Sequence, residues 1–351
     1  MKSKVRGIAG GGDEHPPISV MSPHKFVRQV PLLPHQHLTE ITQMENVFVL
    51  AHLGIPRAKA EDWWLEIAGL VETPRRWPFA ELAALPKRTL TAFHQCAGFP
   101  RAPHIPTRRL ANVVWGGVEL STLLDAAGPS TQATHLWAYG VDGGTFEDSD
   151  TPRYVKDLPL TRIPAGDILV AYEMNGEPLD CEHGYPLRLI IPGYYGTNSV
   201  KWLYRLELAS SRHDGLFTKK LYNDPVPPSL GNPKGGTRPV WEIAPESFVV
   251  HPAPDATLTT EAMEIWGWAW GDSEIERVEV SVDGGKSWRE AQLRPRIERA
   301  WQKFTFEWKP EQTGSLAIAS RAIDRNGVVQ APAEARNAVY SVTVTVVPDK
   351  A

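Results

Sequence analysis

Prolines and glycines interrupt this chain at short intervals, and they constrain its fold more than any other feature. The 351 residues include 31 prolines and 28 glycines, whereas the long apolar repeats of helical bundles are scarce. Proline breaks helices and cannot donate a backbone hydrogen bond, and glycine weakens the interior of regular elements. The sequence therefore predicts many short strands and turns, with the clearest helices over residues 78–85 and 121–127.

A change in composition after Tyr222 indicates a domain boundary. The segment NDPVPPSLGNPKGGTRPVWEI concentrates prolines, glycines and asparagines, so it cannot sustain a helix or a central strand. The length of the chain also suggests about two domains. We predict a flexible tail over residues 1–20, a mixed, loop-rich α+β domain over 21–225, a linker over 226–240 and an all-β sandwich over 241–351.

Alternating apolar residues indicate strands in the last third of the chain. Val278, Val280 and Val282 alternate with polar neighbours, and Asp283-Gly284-Gly285 follows as a hairpin turn signal. Further candidate strands span residues 264–270, 304–308, 315–324 and 338–347. No catalytic constellation occurs in this part, so we expect it to support packing or dimerisation.

Charge and hydropathy disfavour two classes of partner. Lysine and arginine total 37 against 41 aspartates and glutamates, and this net charge of -4 disfavours nucleic acid or an anionic membrane surface. No apolar run approaches the length of about 18 to 20 residues that a spanning helix needs. The start lacks the apolar stretch of a secretory signal, so cytoplasm is the default location, and periplasm stays open if a signal was removed.

The cysteine count limits the redox cofactors that this chain can bind. Only Cys96 and Cys181 are present, which excludes a disulfide framework and leaves one disulfide possible. Covalent c-type haem needs CxxCH, and a cysteine-ligated iron–sulfur cluster needs about four cysteines. If this protein transfers electrons, another cofactor must hold them.

Cys96 lies in a sequence context that favours ligand binding. The segment FHQCAG follows a strand-like run over residues 88–93, and its small residues let a ligand approach the backbone closely. Arg101 is near in sequence, and a cation favours thiolate over thiol. A buried cysteine acting as a small hydrophobic residue is the alternative. A cysteine nucleophile with His94 or His183 as base is another, since His94 falls on the same strand face.

A second polar segment could bind an anion. Its sequence is DCEHGYPLR over residues 180–188, followed by LIIPGYYGTNSVKW. His183, Arg188 and Lys201 would converge if a strand over residues 187–192 were followed by a returning, glycine-containing loop. The alternative is a set of surface charges beside a β-strand.

Seven motifs in this sequence resemble, in the same order, those of the sulfite oxidase family, which includes plant nitrate reductases. Together they cover about three quarters of the chain: FVR at 26–28, QCAG at 95–98, WGGV at 115–118, AYEMNGEPL at 171–179, EHGYPLRLIIPG at 182–193, VKWL at 200–203 and VSVDGGKSW at 280–288. The resemblance implies a molybdopterin-binding catalytic domain followed by an immunoglobulin-like dimerisation domain.

The resemblance also implies roles for individual residues. Cys96 would be the thiolate ligand of molybdenum, a metal whose redox chemistry suits soft sulfur. Arg28 and Arg101 would line a pocket for an oxyanion, and Tyr222 would be the active-site tyrosine rather than a buried linker residue. The pterin and its phosphate would be bound by Phe26, Arg28, Asp142, His183, Arg188, Ser199 and Lys201.

Three departures from the family pattern concern the substrate. Phe99-Pro100 replaces polar residues before Arg101, and a shorter connection from Cys96 to Trp115 drops a tryptophan that borders the sulfite pocket. Tyr340-Ser341 replaces a His-Arg pair of the vertebrate enzymes. These changes leave the implied metal ligation intact but leave the substrate open.

The resulting functional hypothesis is two-electron oxidation with oxygen-atom transfer. The substrate would be sulfite or a related small sulfur compound, and without haem in the chain the electrons would pass to an external acceptor such as cytochrome c. A homodimer is expected. The alternatives are a molybdenum-dependent sulfoxide-type reductase, a noncatalytic binding protein that has lost its cofactor, and a thiol hydrolase that uses Cys96.

Overall fold

The computed structural model describes residues 14–21, 39–98, 109–229, 232–332 and 335–349, and of residues 26–28 it describes the backbone. The expected tail is therefore described only from Glu14 onward, where it lies against the first domain: Glu14 accepts a hydrogen bond from Arg76, and Val20–Met21 pairs with Pro56–Arg57. Within these ranges no helix has the length and apolar character to cross a membrane.

The first domain consists of short strands with few helices. Helices α1 (Phe79–Ala83) and α2 (Leu120–Ala127) confirm the two predicted ones. Single helical turns span Met44–Asn46, Ala60–Asp62, Leu160–Ala165, Gly196–Asn198 and Leu216–Lys220. The strands are β1 Val20–Met21, β2 Phe26–Arg28, β3 Val49–Ala51, β4 Pro56–Arg57, β5 Trp64–Gly69, β6 Arg75–Pro78, β7 Arg88–Gln95, β8 Leu110–Glu119, β9 His135–Gly140, β10 Gly144–Phe146, β11 Ser149–Thr151, β12 Val155–Pro159, β13 Leu169–Met174, β14 Glu177–Pro178, β15 Arg188–Ile190 and β16 Leu203–Ala209.

Two sheets enclose the core of this domain. One has the strand order β12-β9-β16-β5-β6, and the other has the order β14-β13-β8-β7, with β15 paired to β13. The WGGV motif lies on β8, where a side chain at Gly117 would collide with the backbone of Val170 and Ala171 on β13. Glycine is therefore required by the close approach of two strands. The α+β expectation holds only in part, because strands far outweigh the two helices.

The second domain is built of strands in two sheets, as predicted from the alternating pattern. Its strands are β19 Glu246–His251, β20 Thr257–Leu258, β21 Met263–Trp270, β22 Ile275–Ser281, β23 Arg289–Glu290, β24 Gln292–Leu293, β25 Gln302–Trp308, β26 Gly314–Asp324 and β27 Ser341–Val346. The sheet orders are β19-β21-β25-β24 and β20-β27-β26-β22-β23, and apolar side chains from both form one core. A two-stranded hairpin, β17 (Asn223–Val226) with β18 (Gly236–Pro239), begins at the end of the predicted first domain and extends through most of the predicted linker.

The two domains share a hydrophobic cluster. Phe93, Ala97 and Leu110 of the first domain pack with Phe248, Trp268, Trp270 and Trp301 of the second. The segment before β25 also continues the edge of β7, where the Phe93 amide donates to the Arg299 carbonyl at 3.1 Å. The strand that leads to Cys96 is therefore part of the domain junction.

Candidate active site

A cavity opens in the first domain and brings together most of the residues that the sequence singled out. They arrive from several loops and strand ends of the two sheets. The predicted residues that line it are Cys96, Asp142, His183, Arg188, Ser199, Lys201 and Tyr222. The side chains of Phe26 and Arg28, and the whole of Arg101, lie outside the described residues, so their roles stay predictions.

Cys96 is a buried free thiol at the cavity wall. Its side chain follows the end of β7, and the residue is 6% exposed. The Gly98 amide lies 3.4 Å from Sγ, and the Arg109 guanidinium lies 4.0 Å from it. No group of three or more histidines, cysteines, aspartates or glutamates in the described ranges could chelate a metal ion.

Two buried cations, Arg188 and Lys201, also line the cavity. Burial lowers the pKa of Arg188 to about 9, and the guanidinium lies 4.8 Å from the centre of the Trp115 ring. Burial and the charge of Arg188 lower the pKa of Lys201 to about 7, while its ammonium donates to the Glu182 carbonyl at 2.8 Å. Two cations so poorly hydrated favour a bound anion, since an anionic ligand would replace the lost hydration.

Three buried polar atoms around the cavity have no hydrogen-bond partner in the described structure. They are Oδ1 of Asp142, Nε2 of His183 and Nε of Arg188. The other ring nitrogen of His183 is fixed by Asp180 at 2.9 Å, so Nε2 is held toward the cavity that His183 lines. Unsatisfied buried groups are rare and call for an explanation such as an absent ligand.

These groups fit a molybdenum pyranopterin. The pterin ring system offers both hydrogen-bond donors and acceptors, which the free atoms of Asp142, His183 and Arg188 can satisfy. Its phosphate suits the cations Arg188 and Lys201, and its metal suits the Cys96 thiolate. The fit between the cavity and the cofactor thus rests on the polar atoms of this site as well as on the sequence motifs.

Sequence reasoning missed part of the cavity wall. Phe48 and His52 line the cavity from the segment that pairs with β2, and Tyr154 lies beside them. His52 contacts the Tyr222 hydroxyl through Nε2 at 2.7 Å, and its ring stacks on Tyr154. A lone histidine in FVLAH has no charged neighbour to draw attention to it, so only the fold connects it with Tyr222.

His94 also lines the cavity, but its environment makes it a weak base. Burial and the charge of Arg188 lower its pKa well below the ordinary value, and its ring stacks on Phe48. A histidine that activates a thiol must take its proton near neutral pH. The lowered pKa of His94 therefore disfavours the thiol hydrolase that pairs Cys96 with His94.

Comparisons with known proteins agree with this architecture. The family described as Oxidoreductase molybdopterin binding domain matches residues 52–217, and the Mo-co oxidoreductase dimerisation domain matches residues 237–346. The first match begins after Phe26 and Arg28, so neither residue lies in the matched catalytic domain. Together the two matches define a molybdopterin-dependent oxidoreductase.

Full-length relatives narrow this class to one family. Sulfite oxidase of Gallus gallus is 30% identical over 350 residues, which cover 92% of this chain and 75% of that protein. Sulfite oxidase of Arabidopsis thaliana is 28% identical over 331 residues, covering 86% and 82%. The crystal structure of the sulfane dehydrogenase SoxCD from Paracoccus pantotrophus superposes with a TM-score of 0.76 at 26% identity, covering 97% of this chain and 93% of that one. The chain belongs to the sulfite oxidase family.

Proposed function

We propose that this protein is a molybdenum-dependent oxidoreductase that oxidises sulfite or a related small sulfur compound and passes the electrons to an external acceptor. The observation that carries the proposal is the convergence of a buried thiol, two buried cations and three unsatisfied polar atoms on one cavity. The similarity to sulfite oxidases and to a sulfane dehydrogenase supports a sulfur substrate.

The residues divide into those that hold the cofactor and those that face the substrate. Cys96 would ligate the metal, whereas Asp142, His183, Arg188, Ser199 and Lys201 would hold the pterin and its phosphate. Ser199 accepts a hydrogen bond from the Ile191 amide at 3.1 Å, which fixes its hydroxyl at the cavity wall. When bound, the cofactor supplies oxygen-atom transfer and takes up two electrons.

Tyr222 and His52 would act on the substrate side. The Tyr222 hydroxyl is held by His52 at 2.7 Å, so the phenol is aimed before any substrate arrives. With the Nε2–H of His52 as the donor in that contact, the phenol O–H would remain to donate to a substrate oxygen or to an oxygen atom in transfer without reorganisation. Arg28 and Arg101 remain the proposed anion-binding residues, and the Arg109 guanidinium, 4.0 Å from Sγ of Cys96, is an additional cation near the thiol.

Two finer features belong to the proposal. The second domain would be an immunoglobulin-like sandwich, which its two sheets support: their strands are antiparallel except for the parallel pair of β20 and β27. It would also join two copies of the chain, as the description of the matched domain implies. Light scattering should then give the mass of a homodimer, and a monomer that does not change with concentration would contradict this part.

The decisive experiment uses the two cysteines as a matched pair. The protein is purified from a host that makes the molybdenum cofactor, and its molybdenum content is measured together with sulfite and sulfane oxidation using cytochrome c as acceptor. We expect about one molybdenum per chain in the native protein. Cys96→Ser should show no thiolate-to-metal absorption and only background turnover, whereas Cys181→Ser should behave like the native protein. Native protein without molybdenum would overturn the proposal, and sulfoxide reduction without sulfur oxidation would replace it with a reductase.

A further inference from the structure

Strand β7 presents two faces to two different environments. His94 lines the cavity, and Cys96 does so immediately after the strand ends. Phe93, which precedes His94, and Gln95, which lies between His94 and Cys96, point the opposite way because side chains alternate along a strand. Phe93 packs into the hydrophobic cluster that the two domains share, and Gln95 is 1% exposed. The cavity and the domain junction are thus separated by the thickness of one strand.

The side chain of Gln95 is bound entirely by the second domain. Its amide nitrogen donates to Glu246 at 2.6 Å and to Asn337 at 3.2 Å. The Trp270 indole donates to its amide oxygen at 3.0 Å. Glu246 and Asn337 are each 4% exposed, so this is a buried network whose polar groups depend on one another.

The residue on the other side of Cys96 is held from the same place. The Arg336 guanidinium donates to the Ala97 carbonyl and also pairs with Asp224 at 2.6 Å. Arg336 directly precedes Asn337, whose side chain is fixed in turn by the Ala244 carbonyl at 3.0 Å. Two successive residues of the second domain therefore hold both neighbours of the cavity thiol.

We infer that the second domain positions the Cys96 thiolate, with Gln95, Arg336 and Asn337 as positioning residues, and does not serve dimerisation alone. A ligand is oriented by the groups that fix its flanking atoms, and loss of such support usually loosens the site. The inference rests on the proposed function in one respect, namely that Cys96 is the metal ligand.

The test compares two buried glutamines that make equal numbers of hydrogen bonds. Gln95→Met removes the three bonds of Gln95 and keeps the length of the side chain. Gln302→Met is the control, because Gln302 is 3% exposed and makes three bonds to backbone atoms of Ile275 and Arg294 within the second domain. Any general cost of losing a buried amide should be common to both variants.

The first measurement needs no metal. In the full chain purified without cofactor, the rate of Cys96 alkylation by iodoacetamide is measured by mass spectrometry, with Cys181 as the internal reference. We expect Gln95→Met to raise the Cys96 rate relative to Cys181 by about tenfold, equivalent to about 1.4 kcal/mol, while Gln302→Met leaves the ratio unchanged. Equal ratios in the two variants would overturn the inference.

The second measurement uses the loaded enzyme and a milder variant. Arg336→Lys keeps a cation beside Asp224 but cannot reach two acceptors with the fork of a guanidinium. We expect both Arg336→Lys and Gln95→Met to shift the thiolate-to-metal absorption band, and Gln302→Met to leave it in place. An unshifted band in both variants would contradict the inference even if the protein binds molybdenum. If the protein binds none, the proposed function fails, and the alkylation ratio still decides whether the second domain positions Cys96.

Discussion

Asp142 is a buried carboxyl group that must coexist with a buried ammonium. Burial raises its pKa to about 7, and the charge of Lys201 opposes the rise. The same burial lowers the pKa of Lys201 to about 7. In the cofactor-free protein both groups are therefore close to changing their protonation near neutral pH. A ligand that forms hydrogen bonds with both would offset the cost of burying them.

The first prediction concerns pH and the stability of the cofactor-free protein. The unfolded chain releases the Asp142 proton near 3.8 and the folded chain near 7, so the folded state binds more protons between these values. The contribution of Asp142 to the free energy of unfolding should therefore fall as pH rises from about 4 to about 7. We expect Asp142→Asn to flatten this slope in urea denaturation at pH 5 and pH 7.5. Parallel slopes for the two proteins would contradict the assignment.

A second prediction at this scale concerns the Tyr222 hydroxyl. Tyr222→Phe removes the contact with His52 and the donor that we assign to the substrate, so kcat/KM should fall by about tenfold, the cost of about one hydrogen bond. Tyr194→Phe is the control, because that hydroxyl donates to Glu242 at 3.3 Å and does not line the cavity. Equal loss of activity in the two variants would show that Tyr222 acts only through packing.

At the scale of elements, the segment between β24 and β25 connects the two domains. Its Arg299 side chain lies 2.5 Å from Asp167, which also pairs with Arg162 at 2.6 Å, and Asp167 is 4% exposed. Its backbone continues the edge of β7. Ion pairs with one buried partner cost much more to break than exposed ones, because the remaining charge stays desolvated.

The third prediction follows from this difference in burial. Arg299→Ala should lower the free energy of unfolding by about 2 kcal/mol, less than for an isolated buried charge because Arg162 remains beside Asp167. Arg325→Ala should change it by less than about 0.5 kcal/mol, since its side chain is 66% exposed although it lies 2.9 Å from Glu274. Urea titrations that gave equal losses would contradict a role for Arg299 in joining the domains.

The elements that sequence reasoning predicted are those encoded locally. The apolar alternation of residues 278–282 needs no distant information, and a strand, β22, forms there, although it spans Ile275–Ser281 and ends before Val282. The hairpin of β17 and β18 was not predicted, because proline and glycine argue against central strands and say little about an isolated pair. His52 was missed because it meets Tyr222 across 170 residues of sequence. The sequence gives no signal for the role of Gln95 beyond its place in the QCAG motif, since its binding partners are set by the domain interface.

At the scale of the whole molecule, the two domains should unfold together. The shared cluster of Phe93, Trp270 and Trp301, the Gln95 network and the Arg299 ion pair all cross the junction. The fourth prediction is therefore one calorimetric transition for the full chain, with tryptophan fluorescence and far-ultraviolet circular dichroism changing at the same temperature. Two separate transitions would show that the junction contributes little to stability.

The two faces of β7 limit how this protein can change. Joining the first domain to the second domain of a homologue, with the crossover in residues 226–240, would keep every described residue that lines the cavity. It would replace the second-domain residues that bind Gln95 and Ala97 on the opposite face of the strand. In such chimeras each domain would fold, but the proposed metal site at Cys96 would bind the metal less well. Substitutions around Cys96 would then have to be matched by substitutions among the second-domain residues that bind Gln95 and Ala97.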